Sequence, residues 1–192
     1  MRKRKIIFMI LFFVFIFLIM AVIGGVALVN RYYPLHYVDI VNEHAAAFDL
    51  DPVLIFAVIH AESRFNSNAV SRVGASGLMQ IMESTAYWIA PRAGLTDFNY
   101  ERQIFDPSIN ILLGTYYLRM LVETFGDVDV ALAAYNAGRG NVGNWLRNAE
   151  FSSDGMTLDY IPFAETRNYV NRVANNQRIY AILRRFPILF QR

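Results

Sequence analysis

The sequence predicts a mainly α-helical protein with one N-terminal transmembrane helix, and three observations support this fold class. Residues 6–29 are apolar and carry no charge, and about 20 such residues suffice for a helix to cross a bilayer. Two Asp-Pro pairs, at 51–52 and 106–107, each precede a run with helical apolar spacing, as expected where helices begin. No segment shows the sustained apolar–polar alternation typical of a sheet.

The N-terminal segment combines the apolar stretch with a basic cluster in front of it. Residues 2–5 are all Arg or Lys, which are enriched on the cytoplasmic side of membrane helices. We therefore predict a single-pass protein of the cell membrane, with a cytoplasmic basic segment at 1–5, a transmembrane anchor at 6–29, a linker at 30–36 and an extracytoplasmic domain at 37–192. The alternative is a secreted protein with a cleaved signal peptide, although the apolar stretch exceeds the ~7–15 residues usual there.

Composition excludes several classes of function. The 192 residues include no cysteine, which excludes disulfides, thiol catalysis and thiolate metal sites. The formal net charge of +2 depends on the N-terminal basic cluster, and without it acidic residues outnumber basic ones. No nucleic-acid partner is therefore expected. The histidines show no metal-binding spacing, and we expect neither a metal nor another cofactor.

The first half of the domain shows helical spacing up to a glycine-rich loop. A short helix covers 37–48, with apolar residues on one side. Asp51 then provides an N-cap, and Pro52 is the first residue of a largely apolar helix that continues through Ala61. Residues 71–77, rich in glycine and serine, predict a loop.

The second half follows the same pattern. Helical spacing returns at 78–90 and is interrupted at 91–99. Asp106 caps a helix of residues 107–125, which Gly126 ends. The remaining predicted elements are a short helix at 128–136, a helical turn at 141–147, a loop at 151–161 and a final helix at 162–185.

Glu62 is the first candidate for a catalytic residue. It ends the apolar helix that Asp51 begins, and a loop of small residues follows it. A carboxyl against an apolar wall and near a helix C-terminus has a raised pKa, so it can donate a proton near neutral pH. Glycosidic bonds require such a donor, because the leaving oxygen departs poorly until it is protonated. The ordinary alternative is a solvated glutamate at a helix end.

A second cluster follows in the loop. Met79 and Gln80 come after a glycine-rich segment, which permits close approach of the backbone to a ligand. The Gln80 amide can donate to and accept from a sugar hydroxyl or acetamide, and Ser71 supplies a loop hydroxyl. Taken alone, these residues also fit core packing and loop shaping.

Two further clusters lie towards the C-terminus. Tyr135 and Asn136 stand among small residues at a helix end, which leaves room for a sugar ring. Glu165 and Tyr169 are spaced i, i+4 on the last helix and so share a face. The first pair also fits a helix C-cap, and the second a solvated surface pair.

Together these segments resemble a known family. The ES pair at 62–63, GASGLMQI at 74–81, AYNAG at 134–138 and the ET-x-x-Y pattern at 165–169 are similar, in order and spacing, to the soluble lytic transglycosylase domain. The resemblance extends over roughly residues 39–184. It implies a lysozyme-like fold related to goose-type lysozyme. It also implies cleavage of the β-1,4 bond between N-acetylmuramic acid and N-acetylglucosamine in peptidoglycan.

The resemblance further implies a role for each candidate residue. Glu62 would act first as acid and then as base, so that the muramoyl C6 hydroxyl closes onto C1 as a 1,6-anhydro ring without water or a metal. The implied substrate contacts are Ser71, Met79, Gln80, Tyr135 and Asn136. The implied supporting residues are Ser63, Glu165 and Tyr169. The expected partners are peptidoglycan glycan strands and the membrane, and no protein partner is indicated.

Two alternatives remain open at this stage. A muramidase on the same fold would use water in place of the sugar hydroxyl, and a two-carboxylate glycosidase would need a second acid roughly 5–10 Å from Glu62. Asp97, Glu101 and Asp106 are the available acids of the middle loops, yet none lies in a recognisable motif. The other alternative is a non-catalytic peptidoglycan-binding module of an envelope assembly.

Overall fold

The computed structural model describes residues 2–186, in which the elements are all helices. Met1 and residues 187–192, the end of the predicted domain at 37–192, lie outside the described residues. In chain order the helices are α1 (Arg2–Tyr32), α2 (Val38–Ala47), α3 (Pro52–Ser63), α4 (Glu83–Ile89), α5 (Tyr100–Gln103), α6 (Pro107–Phe125), α7 (Val128–Ala137), α8 (Arg139–Leu146) and α9 (Ala164–Leu183). The prediction of a mainly α-helical protein is confirmed.

The chain divides into two compact units, one with α1 and the other with α2 to α9. The N-terminal unit extends to Leu35, and the second unit comprises His36–Arg185. Within α1, the segment Arg4–Tyr32 is long and apolar enough to cross a membrane, with a mean hydropathy of 3.5 and none of its side chains buried. A helix with apolar side chains on all of its faces, none of them buried by the protein, fits a segment that faces lipid.

Aspartate caps start three of the helices in the second unit. The Asp51 carboxylate accepts the Val53 backbone N–H at 2.9 Å at the start of α3. Asp106 accepts two backbone N–H groups at the start of α6, and Asp127 accepts that of Val130 in α7. Each cap satisfies donors that a helix start leaves unpaired, so the predicted starts at Asp51 and Asp106 are confirmed.

The predicted helix at 78–90 is wrong in its first third, because α4 begins only at Glu83. Residues 77–81 instead form a tight turn, with positive φ at Gly77 and Gln80. The Ile81 backbone pairs with Ser76 in an isolated bridge. The apolar residues of this turn are buried in the core. Their spacing in the sequence resembles that of a helix, which explains the wrong prediction.

The core of the second unit surrounds α3. Seven consecutive residues of α3, from Val53 to Ile59, are buried, because α2 and α9 pack against the helix. Helix α7 packs against α6, α8 and α9. Helix α9 therefore packs against both α3 and α7.

Candidate active site

Glu62 is the penultimate residue of α3, and its side chain is half-buried. The helix ends one residue later because Arg64 adopts a left-handed conformation, with φ of 51°, and its N–H bonds the His60 carbonyl. This helix end leaves the Glu62 carboxyl at the edge of the core rather than within it. An acid in this position is shielded from water on one side and reachable by a ligand on the other.

Burial raises the pKa of Glu62 from 4.5 to about 7. The loss of water penalises the carboxylate more than the neutral acid, and this cause exceeds the others. The Tyr169 hydroxyl and the Arg172 charge both lower the pKa, but less than burial raises it. No other carboxylate is among the described groups that shift the pKa of Glu62.

Tyr169 and Tyr135 border Glu62 from α9 and α7. Burial raises the pKa of both phenols, and the Glu62 charge raises them further, which shows that both lie near the carboxyl. Tyr169 is 1% exposed, and its hydroxyl is close enough to Glu62 to interact, yet it makes no hydrogen bond of regular geometry within the described chain. A buried hydroxyl in this condition is available to a bound ligand or to the Glu62 carboxyl.

Tyr135 also connects the Glu62 region to the turn at residues 77–81. Its hydroxyl donates to the Met79 carbonyl at 2.8 Å, across 56 residues of sequence. Met79 itself is fully buried, with its sulfur beneath Gly114 of α6. The structure therefore brings Glu62, Tyr135, Tyr169 and the Met79 backbone together.

Asn136 is oriented by a residue that sequence reasoning missed. The Thr166 hydroxyl, from the first turn of α9, donates to Asn136 Oδ1 at 2.7 Å. This bond engages the amide oxygen of Asn136 and not its nitrogen. A local sequence signal for Thr166 was lacking, because its partner lies 30 residues away.

Ser71 and Gln80 use their side chains within the loop at 69–81. The Ser71 hydroxyl accepts the Ala75 N–H at 2.9 Å. Gln80 Nε2 donates to the carbonyls of Gly77 and Ala69, at 2.8 and 3.1 Å. These bonds fix the shape of the loop. They engage the nitrogen of the Gln80 amide and not its oxygen.

The two remaining supporting candidates differ in position from Tyr169. Ser63 ends α3, and its hydroxyl donates back to the Ile59 carbonyl at 3.2 Å. Glu165 lies in the first turn of α9 and is exposed, where its negative charge suits the helix N-terminus. The i, i+4 spacing of Glu165 and Tyr169 thus places one residue towards solvent and the other in the core.

Asn110 is the principal residue that the sequence did not reveal. It is 0% exposed in α6, its Oδ1 accepts the Met79 N–H at 2.7 Å, and its Nδ2 donates to the carbonyls of Ile104 and Ser76 at 2.8 and 3.1 Å. A Cβ at Gly77 would lie 2.2 Å from Asn110 Nδ2, so only glycine fits there. Asn110 therefore holds the turn whose carbonyl receives Tyr135.

The site can carry out proton transfer with one carboxyl. At neutral pH Glu62 exists in both protonation states, so it can donate a proton to a bound oxygen and later accept one. Within residues 2–186, no group of three or more His, Asp or Glu side chains is arranged to hold a metal ion. The helical fold and an acid with a raised pKa are the features expected of a lysozyme-like domain.

The chain belongs to the transglycosylase SLT domain family, whose model matches residues 39–156. It is 38% identical over 143 residues to a soluble lytic murein transglycosylase of Salmonella typhimurium, an alignment of 73% of this chain and 22% of the relative. It is 34% identical over 177 residues to membrane-bound lytic murein transglycosylase C of Edwardsiella ictaluri, with 77% of this chain and 47% of that protein aligned.

The solved structures agree with the family. The structure of an inactive glutamate-to-glutamine mutant of lytic transglycosylase Slt from Pseudomonas aeruginosa superimposes with a TM-score of 0.71 at 32% identity. The superposition covers 85% of this chain and 26% of that one. The resemblance inferred from the four sequence segments and the lysozyme-like fold are confirmed. The chain spans about a quarter of the length of the soluble relatives that it matches.

Proposed function

We propose that this chain is a peptidoglycan lytic transglycosylase, which cleaves the β-1,4 bond between N-acetylmuramic acid and N-acetylglucosamine and forms a 1,6-anhydromuramoyl product. Membership of the transglycosylase SLT domain family supports this activity. Relatives named soluble and membrane-bound lytic murein transglycosylases support the substrate class.

The single observation that carries the mechanism is the half-buried Glu62 with its pKa raised to about 7. In the proposed first step, the Glu62 carboxyl gives its proton to the glycosidic oxygen, and the C1–O bond breaks. The oxocarbenium-like sugar that develops is stabilised by its own acetamide and by the nearby Tyr135 oxygen. The inactive glutamate-to-glutamine mutant of the Pseudomonas relative supports a mechanism that depends on one glutamate.

In the proposed second step, the Glu62 carboxylate removes the proton of the muramoyl C6 hydroxyl. The C6 oxygen then bonds to C1, so the 1,6-anhydro ring forms and Glu62 is again protonated. Water is not consumed, and no second carboxylate acts. The absence of another carboxylate among the groups that shift the pKa of Glu62, within the described chain, supports this single-acid route.

We assign the remaining candidates to substrate binding and support. Asn136, Tyr135 and the loop residues Ser71 and Gln80 contact the glycan, and Tyr169, Ser63 and Glu165 support the acid. The sequence also suggested Met79 as a substrate contact, but it is 0% exposed, so we assign it to holding Tyr135 through its backbone carbonyl. Tyr169 has the strongest support, because its buried hydroxyl lacks a partner of regular geometry within residues 2–186 and faces Glu62. The other assignments rest on the resemblance of their sequence segments.

We further propose that the chain is anchored in the cell membrane by residues 6–29, with residues 1–5 in the cytoplasm and the domain from residue 37 outside. The apolar helix Arg4–Tyr32 and the name of the Edwardsiella relative support a membrane location. The basic cluster at 2–5 supports the orientation. After a carbonate wash, the full-length protein should stay in the membrane fraction, and its release at a smaller size would indicate a cleaved signal peptide.

Digestion of purified sacculi by the full-length chain in detergent tests the activity. Mass spectrometry should detect muropeptides that end in 1,6-anhydromuramic acid, and the Glu62→Gln variant should release none. Products that end in reducing muramic acid would identify a muramidase. Binding of sacculi without either product would identify a peptidoglycan-binding module and contradict the proposal.

A further inference from the structure

Two arginines and a tryptophan form an exposed cluster beyond Tyr135. The guanidinium carbons of Arg92 and Arg139 lie over the Trp88 ring, at 4.8 and 4.5 Å from its centroid. Trp88 belongs to α4, Arg92 follows that helix and Arg139 is the first residue of α8. We call these three residues the Arg–Trp–Arg cluster. Because its members come from two distant segments, the fold rather than the local sequence builds it.

The cluster concentrates positive charge without a counterion. Among the described side chains, the arginines that pair with carboxylates are Arg119 and Arg184, whereas Arg92 and Arg139 form no ion pair. Two like charges on one ring repel each other, and an anion between them would remove that repulsion. One N–H of Arg92 donates to the Trp88 backbone carbonyl, which holds this guanidinium at the ring. A guanidinium that lies over a ring keeps its other N–H donors at its edge, where they can bind a carboxylate.

The cluster is continuous with the active site through neighbouring aromatic rings. Tyr135 borders Glu62, and its ring centroid lies 5.4 Å from that of Tyr117. The Arg139 charge in turn acts on the Tyr117 phenol, where it opposes the rise in pKa caused by burial. Glu62, Tyr135, Tyr117 and Arg139 are thus successive neighbours, and Trp88 with Arg92 ends the row.

We propose that the Arg–Trp–Arg cluster binds a carboxylate of the peptide stem that the muramoyl sugar carries, and so selects strands with free stem carboxylates. The inference rests on the proposed function, since peptidoglycan must be the substrate. The glycan itself is neutral apart from its stems, so it gives two unpaired arginines nothing to neutralise. The stem carboxylates are the anions that a strand lying along this row would present.

Binding measurements in an inactive background test this inference apart from catalysis. Full-length Glu62→Gln protein in detergent is titrated with three soluble strands: peptidoglycan strands with native stems, the same strands with their stem carboxylates amidated, and β-1,4-linked N-acetylglucosamine oligomers, which carry no carboxylate. The stem-bearing strand should bind best. In the double variant Arg92→Gln, Arg139→Gln, the Kd for the stem-bearing strand should rise by about five- to tenfold, as expected for the loss of partly exposed charged hydrogen bonds.

The other two strands supply the specificity. Their Kd should change less than twofold in the double variant, because they lack the carboxylate. Arg139→Lys should give an intermediate loss, since lysine keeps the charge but not the bidentate fork. Arg178→Gln, which removes an exposed arginine of α9, is the matched control and should bind all strands as the parent does.

The possible outcomes separate the inference from the proposed function. Equal weakening for all three strands would overturn the inference, because the cluster would then contact the glycan or support the fold. Unchanged binding of the native strand would also overturn it. A wild-type chain that cleaves no strand, together with a stem-specific loss of binding, would contradict the proposed activity and leave the carboxylate site established.

Discussion

The surroundings of Glu62 and the turn at residues 77–81 are adjacent, yet they satisfy their polar groups in opposite ways. Around Glu62, a carboxyl is held away from water and the Tyr169 hydroxyl lacks a regular hydrogen bond within the described chain. At the turn, Asn110 alone satisfies three backbone groups, which are the Met79 N–H within the turn and the carbonyls of Ser76 and Ile104 beside it. The Tyr100 hydroxyl donates to the Ile81 carbonyl at 2.9 Å.

This difference indicates that the turn contributes mainly to stability and the surroundings of Glu62 mainly to activity. A buried polar group without a partner lowers stability, and such groups are concentrated where a substrate can supply what is missing. The hydrogen-bonded turn stabilises the fold and holds the Met79 carbonyl that receives Tyr135. We therefore expect changes around Glu62 to affect activity more than stability, and changes in the turn to do the reverse.

The largest effect should come from Glu62→Gln. The amide preserves the shape of the side chain but cannot donate the proton, so the cleavage rate should fall at least about 100-fold, the lower end for general acid–base catalysis. Anhydro-muropeptide release measures the rate, and circular dichroism measures the fold. Activity within tenfold of wild type would remove Glu62 from the mechanism.

The reverse pattern is expected for Asn110→Ala. Three buried backbone groups would lose their partner, and we expect the free energy of unfolding to fall by about 3 kcal/mol. Urea denaturation measures the loss. Asn175→Ala, an exposed position on α9, is the control and should change stability by less than about 0.5 kcal/mol. A loss as small as in the control would mean that the turn does not depend on Asn110.

The pH dependence of the free energy of unfolding measures the contribution of Glu62 to stability, while the turn at residues 77–81 stays unchanged. Since the pKa of Glu62 is raised to about 7 in the fold, the folded state binds more protons than the unfolded state between about pH 4.5 and 7. Relative to Glu62→Gln, wild-type stability should therefore fall as pH rises through this window, by about 3 kcal/mol, and stay constant above it.

Urea denaturation of the wild type and of Glu62→Gln at several pH values gives the difference between their free energies of unfolding. The contributions of the other titrating groups cancel in this difference. Cleavage should also decline above about pH 7, because the acid must be protonated to act. A difference that stays constant from pH 4 to 8 would show that Glu62 has an ordinary pKa.

A smaller effect is expected for Gly114→Ala beneath the turn. The added Cβ would lie 2.3 Å from the Met79 sulfur and 2.7 Å from its Cβ, so the Met79 side chain and the turn must shift. We expect a loss of about 1–2 kcal/mol in the free energy of unfolding. Gly140→Ala in α8, where nothing lies within 4 Å, should instead gain up to about 1 kcal/mol. The same sign for both variants would contradict the close packing of Met79.

Local signals in the sequence predicted most helix boundaries. Asp51 and Asp106 act on N–H groups two or three residues away, so their effect can be recognised from neighbouring residues alone. The segment at 78–82 was wrongly predicted as helix, because its conformation depends on Asn110, which lies 31 residues beyond Met79. Apolar spacing by itself does not distinguish a buried turn from a buried helix.

The candidate site shows the same division. The sequence by itself determined that Glu62 ends an apolar helix, and the four segments around it indicated the family. Only the tertiary structure decided that Tyr169 is buried beside Glu62 while Glu165 is exposed, and that Arg139 reaches Trp88. The physical reason is range: capping and periodicity act within a few residues, whereas the burial that raises the pKa of Glu62 depends on helices that meet only when the chain folds.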